Sequence, residues 1–260
     1  MSTDSLIVAR KEMLDHLRDT RSLMSMTLHA SMGPAIVMLV SFSGAARRDT
    51  LSTVLLSMMS VFALVSAFAG GMTVALDSTA GERERRSLVP LLMNSVATRD
   101  VMLGKWMATS LFTIGALSIN LVGIGLVLTT RAPALLTAHG SGLARWVVFG
   151  LLPLALLGSA VELLIAATSR TTKEGANWLT MVTFVPMLAG ILLVFFPGHL
   201  GNWWFVMPVV GQQVLVGKYL SGESVSLLSP AVLALVTAAA AVPTLARATR
   251  VIGRDEILAG

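Results

Sequence analysis

The sequence of 260 residues contains no cysteine, a single tyrosine and only 13 per cent charged residues. Without cysteine, disulfides and thiolate metal sites are excluded. Histidine is nearly as scarce, and His16, His29, His139 and His199 are scattered along the chain. Neither HExxH nor GxSxG occurs, so a metalloprotease or a serine hydrolase has no support. The phosphate-binding pattern GxxxxGK[ST] is missing too: Gly211 to Gly217-Lys218-Tyr219 has one residue too many and lacks the hydroxyl. No catalytic or metal-ligating constellation emerges, and the chain is not expected to be an enzyme.

What the chain has in quantity is apolar sequence. Fifty-five per cent hydrophobic residues and a mean hydropathy of +0.79 place it among polytopic membrane proteins. Six runs, at 22–45, 51–76, 106–129, 146–169, 177–197 and 227–246, approach the ~20 residues needed to cross a ~30 Å hydrocarbon core. The expected fold is therefore all-α, a single polytopic domain over 1–260. The net charge of +5 would suggest nucleic acid in a soluble protein. Here the basic residues sit in short loops between runs, so nucleic acid is not an expected partner. Of the 19 Lys and Arg, all but Arg47, Arg48, Arg131, Arg145 and Lys218 fall on one side if the amino terminus is inside. The positive-inside bias then puts both termini in the cytoplasm.

Residues 1–21 read as an amphipathic helix lying along the membrane. Leu6, Ala9, Met13 and Leu17 share one face, and Lys11, Asp15 and Arg18 another. These residues are charged throughout and precede a full-length run, so no secretory signal peptide is expected there.

The stretch 77–105, DSTAGERERRSLVPLLMNSVATRDVMLGK, breaks the apolar pattern. Arg83, Arg85, Arg86, Arg99 and Lys105 lie there with Asp77, Glu82, Glu84 and Asp100. A single Arg or Asp at the bilayer centre costs ~3 kcal/mol, so this segment is expected in water between the second and third spans. Leu88, Leu91 and Leu92 recur at helical spacing inside it.

That segment resembles the cytoplasmic coupling segment of ABC-2-type transporter permeases, nearest to the sodium-exporter NatB-like branch. The matching positions are Ala80, Gly81, Glu82, Arg83, Glu84, Arg85, Leu88, Pro90, Leu91, Leu92, Gly104 and Lys105. Arg86-Ser87, Val89 and Ser95 depart from the pattern. ARKEMLDHLRDTR at 9–21 is similar to the family's amino-terminal elbow helix. SRTTKE at 169–174 resembles a second cytoplasmic turn, and the carboxyl-terminal RDEIL resembles the branch's short charged ending. The first external loop, near 46–50, is shorter than the insert that branch often carries.

The resemblance implies the transmembrane permease subunit of an exporter. The coupling residues would be Glu82, Arg83, Glu84, Arg85, Arg86, Leu88, Leu91, Leu92 and Lys105. Arg170, Lys173 and Glu174 would form a secondary coupling loop. Two ABC ATPase subunits and a second permease chain, the same or similar, are the implied partners, beside membrane lipid. ATP and magnesium would belong to the ATPase, leaving no cofactor in this chain. Sodium ion is one implied substrate, and a bacterial plasma membrane the implied location. A non-ABC scaffold or channel-like subunit without an energy source stays open as the alternative.

Three further expectations come from the residues themselves. The 198–226 stretch, broken by Gly and Pro, suits short re-entrant or interfacial helices on the outer side, with Trp203 and Trp204 in the headgroup belt. Residues 130–145 read as a polar external loop ending at an interfacial Trp146. His29 and Glu162, each eight residues from a basic residue at the inner surface, lie at similar depth, ~12 Å at 1.5 Å per residue. They form a candidate intramembrane polar site. Asn120, deep in the third run, reads as a helix-to-helix link.

Overall fold

The computed structural model of the chain describes residues 2–42, 48–85, 96–131, 133–195 and 203–259, with side chains at all but 40–42, 48–57, 131, 191–195 and 254–259. Every regular element among them is helical. Helix α1 (Thr3–Arg18) is followed by α2 (Thr20–Phe42) and α3 (Arg48–Ala69). Helix α4 (Met72–Ala75) continues through a π-helical turn, Leu76–Gly81, to a last turn at Glu82–Glu84. Then come α5 (Thr98–Arg131) and α6 (Pro133–Trp146), the latter running through a second π-helical turn, Val147–Leu151, into α7 (Leu152–Thr168). Helix α8 (Thr172–Phe195), a 3-10 turn at Trp203–Val206, α9 (Val210–Leu220) and α10 (Leu228–Ala259) complete the chain.

Among the described residues five helical segments are long and apolar enough to cross a membrane: Thr20–Leu39, Met58–Glu84, Thr98–Thr130, Pro133–Thr168 and Leu228–Gly253. The chain is a multi-pass membrane protein. Helix α8, 24 residues long, carries most of the apolar run expected at 177–197.

Helix α7 is central, packing along α10, α3 and α5. In lipid, apolar side chains gain little by leaving an apolar solvent, so close contact depends on small residues and polar links. Both are present. Gly158 of α7 lies against backbone of α3: a Cβ there would stand 2.8 Å from the Ala67 carbonyl oxygen and 2.9 Å from the Phe68 Cα. Asn120 of α5 donates from Nδ2 to the Ala30 carbonyl of α2 at 2.9 Å, the link expected of it.

Three stretches differ from expectation. Residues 133–146, expected as part of a polar loop, are helical and continuous with α7. The apolar Ala134, Leu135, Leu136 and Leu143 outweigh the scattered polar residues. Trp146 and Trp204 are core residues and not headgroup anchors, 3 % and 5 % exposed, whereas Trp203 is 74 % exposed. The indole N–H of Trp146 is satisfied internally by the Gln212 carbonyl at 2.9 Å, which removes its need for interfacial water. Within 198–226, Val209 (φ 71, ψ −60) turns the chain into α9. Its neighbours close a γ-turn, the Val210 N–H donating to the Pro208 carbonyl at 2.9 Å. Residues 196–202 lie outside the described set.

Asp19 makes the corner between α1 and α2. Its extended backbone ends α1, and its carboxylate caps α2 by accepting from Ser22 N–H (3.0 Å), Ser22 Oγ (2.7 Å) and Arg21 N–H (3.2 Å). The Ser22 hydroxyl bond is the main reason its carboxyl sits below the usual aspartate value. A lowered carboxylate stabilises the corner above its unfolded value and loses that contribution as pH falls through the folded one. Asp19→Ala is therefore expected to speed hydrogen exchange at Arg21 and Ser22 at neutral pH. Unchanged exchange at those two amides would show the cap to be idle.

Candidate functional site

Most of the chain's charge gathers where α1, the 76–85 stretch, the start of α5 and the α7–α8 turn meet. Lys105 stands at its centre, 1 % exposed. Its ammonium donates to Glu12 Oε1 at 3.2 Å, to Glu82 Oε2 at 2.8 Å and to the Ser78 carbonyl. A buried ammonium has three donors, and here each has an acceptor. Three elements are thereby tied together: α1 through Glu12, α5 through Lys105, and the end of the second span through Glu82 and Ser78.

The approach of α1 is set one residue earlier. At Gly104 a Cβ would lie 2.5 Å from Val8 Cβ and 2.8 Å from the Ser5 carbonyl oxygen, so only glycine lets the two helices come this close. The face of α1 turned to the protein is Ser5, Ala9, Glu12 and His16. His16 Nδ1 lies 3.1 Å from Ser22 Oγ, and its ring meets Phe112 edge-on at 6.0 Å. Leu6, Ile7, Leu14 and Leu17 are left exposed.

The 77–105 segment was expected to lie in water, and for its first residues the structure corrects this. Ser78, Thr79, Ala80 and Gly81 are buried in the π-helical turn that prolongs the second span to Glu84. Burial is tolerable because Lys105 compensates Glu82, and Asp77 stays at the surface, paired with Arg85 at 2.9 Å. That bond holds the Arg85 guanidinium above its ordinary value. The Ser78 and Thr79 hydroxyls have no hydrogen-bond partner. Arg86, Leu88, Leu91 and Leu92 lie outside the described residues.

Arg83 and Glu84 reach the third turn. The Arg83 guanidinium donates to the carbonyls of Ala167 (2.8 Å) and Ser169, unpaired at the end of α7. Glu84 Oε2 accepts from the Thr172 hydroxyl at 2.8 Å and its N–H at 3.3 Å. Glu174 closes the turn on itself by accepting from Arg170 N–H at 2.8 Å. Arg170 and Lys173 are exposed. The stretches singled out as two separate coupling elements therefore form one charged surface. A groove of about 1040 Å³ runs beside it, lined by residues including Asp19, Arg21, Asp77, Glu84, Arg85 and Lys173.

Arg83→Ala is expected to cost about 2 kcal/mol, since each charged hydrogen bond to a carbonyl contributes ~1.5–3 kcal/mol before solvent replaces it. Trypsin digestion of the purified protein checks this: cleavage at Arg170 and Lys173 should accelerate. An unaltered digestion rate would mean Arg83 does not hold the turn.

The intramembrane pair separates. Glu162 is 1 % exposed on α7, whereas His29 is exposed on α2 and donates from Nδ1 to its own helix at the Ser25 carbonyl, 2.8 Å away. Glu162 instead faces the break between α3 and α4. A Cβ on Gly71 would stand 2.8 Å from Glu162 Oε2 and 2.6 Å from Thr113 Oγ1. Neither carboxyl oxygen has a hydrogen-bond partner of normal geometry. Close by, Thr113 Oγ1 and Ser159 Oγ share a bond of 3.0 Å. No cluster of His, Asp and Glu among the described residues has the geometry to hold a metal ion.

Sequence reasoning found Lys105, Glu82, Arg83 and Glu84 but missed Glu12, Ser78 and His16. A signal existed: Ser5, Glu12 and His16 follow helical spacing, and Lys105 at the start of an apolar run needs a carboxylate from somewhere.

The chain is similar to an ABC transporter permease. It is 31 % identical over 182 residues to the ABC transporter permease protein NatB of Bacillus subtilis (strain 168), a match covering 67 % of this chain. The same match covers 47 % of that relative, so the chain spans about half the relative's length. No family model matches the sequence.

Proposed function

We propose that the chain is the transmembrane permease subunit of an ABC-2-type exporter, with ATP hydrolysed on a separate subunit. The observation that carries this reading is the charged surface at one end of the bundle. There Glu82 joins the end of the second span to Lys105 of α5, which in turn holds Glu12 of α1, while Arg83 and Glu84 reach the α7–α8 turn. A force applied to this surface reaches four elements at once, through charge-assisted bonds and not through flexible loop. The similarity to an ABC transporter permease supports the same reading.

In it, two ATPase subunits dock on two permease chains, each against Glu82 to Arg86, Leu88, Leu91 and Leu92, with Arg170, Lys173 and Glu174 as a second contact. ATP and magnesium remain in the partner. Six spans follow from the six apolar runs, and both termini in the cytoplasm from the distribution of basic residues. Glu162, buried at the α3–α4 break, is the chain's own candidate for a polar site along the path. Sodium ion is the substrate that the NatB-like resemblance suggests.

Reconstitution with an ABC ATPase subunit that co-purifies with this chain tests the proposal. Vesicles holding both subunits should hydrolyse ATP faster when substrate is present, and should transport only with ATP. Solute flux through the chain alone, indifferent to ATP, would favour a channel and overturn the assignment.

A further inference from the structure

Glu162 is the one ionisable residue of α7, and it sits inside a membrane-crossing segment, Pro133–Thr168. It is fully buried, and among the described residues neither carboxyl oxygen has a hydrogen-bond partner. The hydroxyls nearby have no hydrogen to offer it, since each carries only one. Thr109 donates to the Lys105 carbonyl at 2.9 Å, Thr113 to the Thr109 carbonyl at 3.0 Å, and Ser159 to the Ala155 carbonyl at 2.8 Å. The contact of 3.0 Å between Thr113 and Ser159 draws on those same hydrogens. The Gly71 N–H lies beside the carboxyl but does not meet it at hydrogen-bond geometry. What this lining offers is lone pairs.

No cation balances the group among the described residues. On α5 the nearest is Lys105, one turn before Thr109, and its hydrogens go to Glu12, Glu82 and Ser78. From Thr50 through Gly71 there is no ionisable residue, and beyond it the first is Asp77, paired with Arg85. Leu163 clusters with Leu179 of α8, and Ala160 with Ala241 of α10. Helix α8 has no ionisable residue after Glu174, and α10 has none before Arg247. His29 of α2 is exposed and bonded to its own helix. An ionised carboxylate so placed has neither donor nor counter-charge, and a buried carboxyl in that position takes up a proton instead. The acid form brings its own donor and needs only an acceptor, which the lone pairs of Thr113 can supply.

A route to water starts close by. Gly70 and Gly71 interrupt the second span between α3 and α4. Thr73, two residues past Gly71, lines the groove of about 1040 Å³ at the charged end.

We propose that Glu162 is an exchangeable proton-binding site, its proton passing between the carboxyl and water in that groove by way of the α3–α4 break. In the outward step the O–H bond breaks, the proton goes to groove water, and the electron pair stays on Glu162; the reverse step restores the acid. The site goes beyond the permease assignment and does not require coupling to ATP, so its failure would leave that assignment standing.

Infrared spectra of the full chain in maltoside detergent, which has no ester carbonyl, test this as wild type minus Glu162→Gln. The amide keeps the shape of the acid without its proton. At neutral pH the difference should show a protonated-acid C=O stretch and no carboxylate band, and transfer to D2O should shift that stretch. Dicyclohexylcarbodiimide, which enters apolar sites and adds to protonated carboxyls, should modify wild-type Glu162 in native membranes, as located by peptide mass spectrometry. That reading does not depend on the glutamine variant folding, and the modification should be lost as pH rises and the acid form disappears. A carboxylate band at neutral pH with Glu162 unmodified would overturn the proposal. An acid stretch unmoved in D2O would do the same, because the proton would then be sealed in and not exchangeable.

Discussion

Replacing Lys105 with methionine should destabilise the protein more than any other single change at its charged end. The ammonium is fully buried between Glu12 and Glu82. Its loss leaves two carboxylates facing each other in a site that water reaches poorly. Breaking a buried ion pair by removing one partner costs roughly 3–5 kcal/mol. The cost is not a measure of what the cluster adds, because desolvation of all three groups offsets much of their attraction. Adding Glu12→Gln and Glu82→Gln to Lys105→Met should therefore recover most of the lost thermal stability. Substrate-stimulated ATP hydrolysis should not recover, since the charged ties across α1, α4 and α5 are gone. Thermal unfolding followed by size-exclusion chromatography separates the two effects. A Lys105→Met protein as stable as wild type would remove the hub from the account.

Gly158→Leu should be the most damaging substitution within the spans. The obstruction at Gly158 is backbone, the Ala67 carbonyl and the Phe68 Cα, and not the end of a flexible side chain. No rotamer change relieves it, so α3 and α7 must separate along the centre of the bundle. Overpacking of ordinary cores costs ~1–3 kcal/mol, and a clash with rigid backbone belongs at or beyond the top of that range. Gly125→Ala on α5 is the matched control, because a Cβ there meets nothing. The fraction surviving as monodisperse protein after mild heating should collapse for Gly158→Leu and stay at wild-type level for Gly125→Ala. Equal survival would mean that this close approach of α3 and α7 is absent in the membrane.

How far the sequence reveals this arrangement depends on which solvent a residue meets. Charge is legible: nine ionisable residues within 77–105 had to leave hydrocarbon, and Glu82, Arg83, Glu84 and Lys105 do meet at one end of the bundle. Where water begins is not legible. Asp77 to Gly81 read as solvated, yet the second span continues through them, because Lys105 arrives from another helix to neutralise Glu82. The orientation of α1 fails for a related reason. Periodicity groups Leu6, Ala9, Met13 and Leu17 on one face, but the structure buries Ala9 with Ser5, Glu12 and His16 and leaves Leu6 and Leu17 exposed. His29 and Glu162 illustrate the limit of depth arguments: one is exposed on α2 and the other is buried on α7.

The pairing of Trp146 with Gln212 was equally invisible. An indole near a span end suits a headgroup as well as a buried carbonyl 66 residues away. Glycine was more informative. Small residues inside spans let helices approach closely in lipid, and the structure places Gly158 on α3 backbone and Gly71 beside Glu162.

The central claim is that the charged end of the bundle receives an ATPase. Because the chain has no cysteine, single cysteines can be placed there without background. Glu84→Cys and Lys173→Cys, in native membranes, should cross-link to a subunit carrying an ATP-binding motif, with a yield that changes when ATP is added. Both positions should resist a membrane-impermeant thiol reagent applied to intact cells. Labelling from outside, together with no ATP-sensitive cross-link, would place this surface on the wrong side of the membrane and contradict the account.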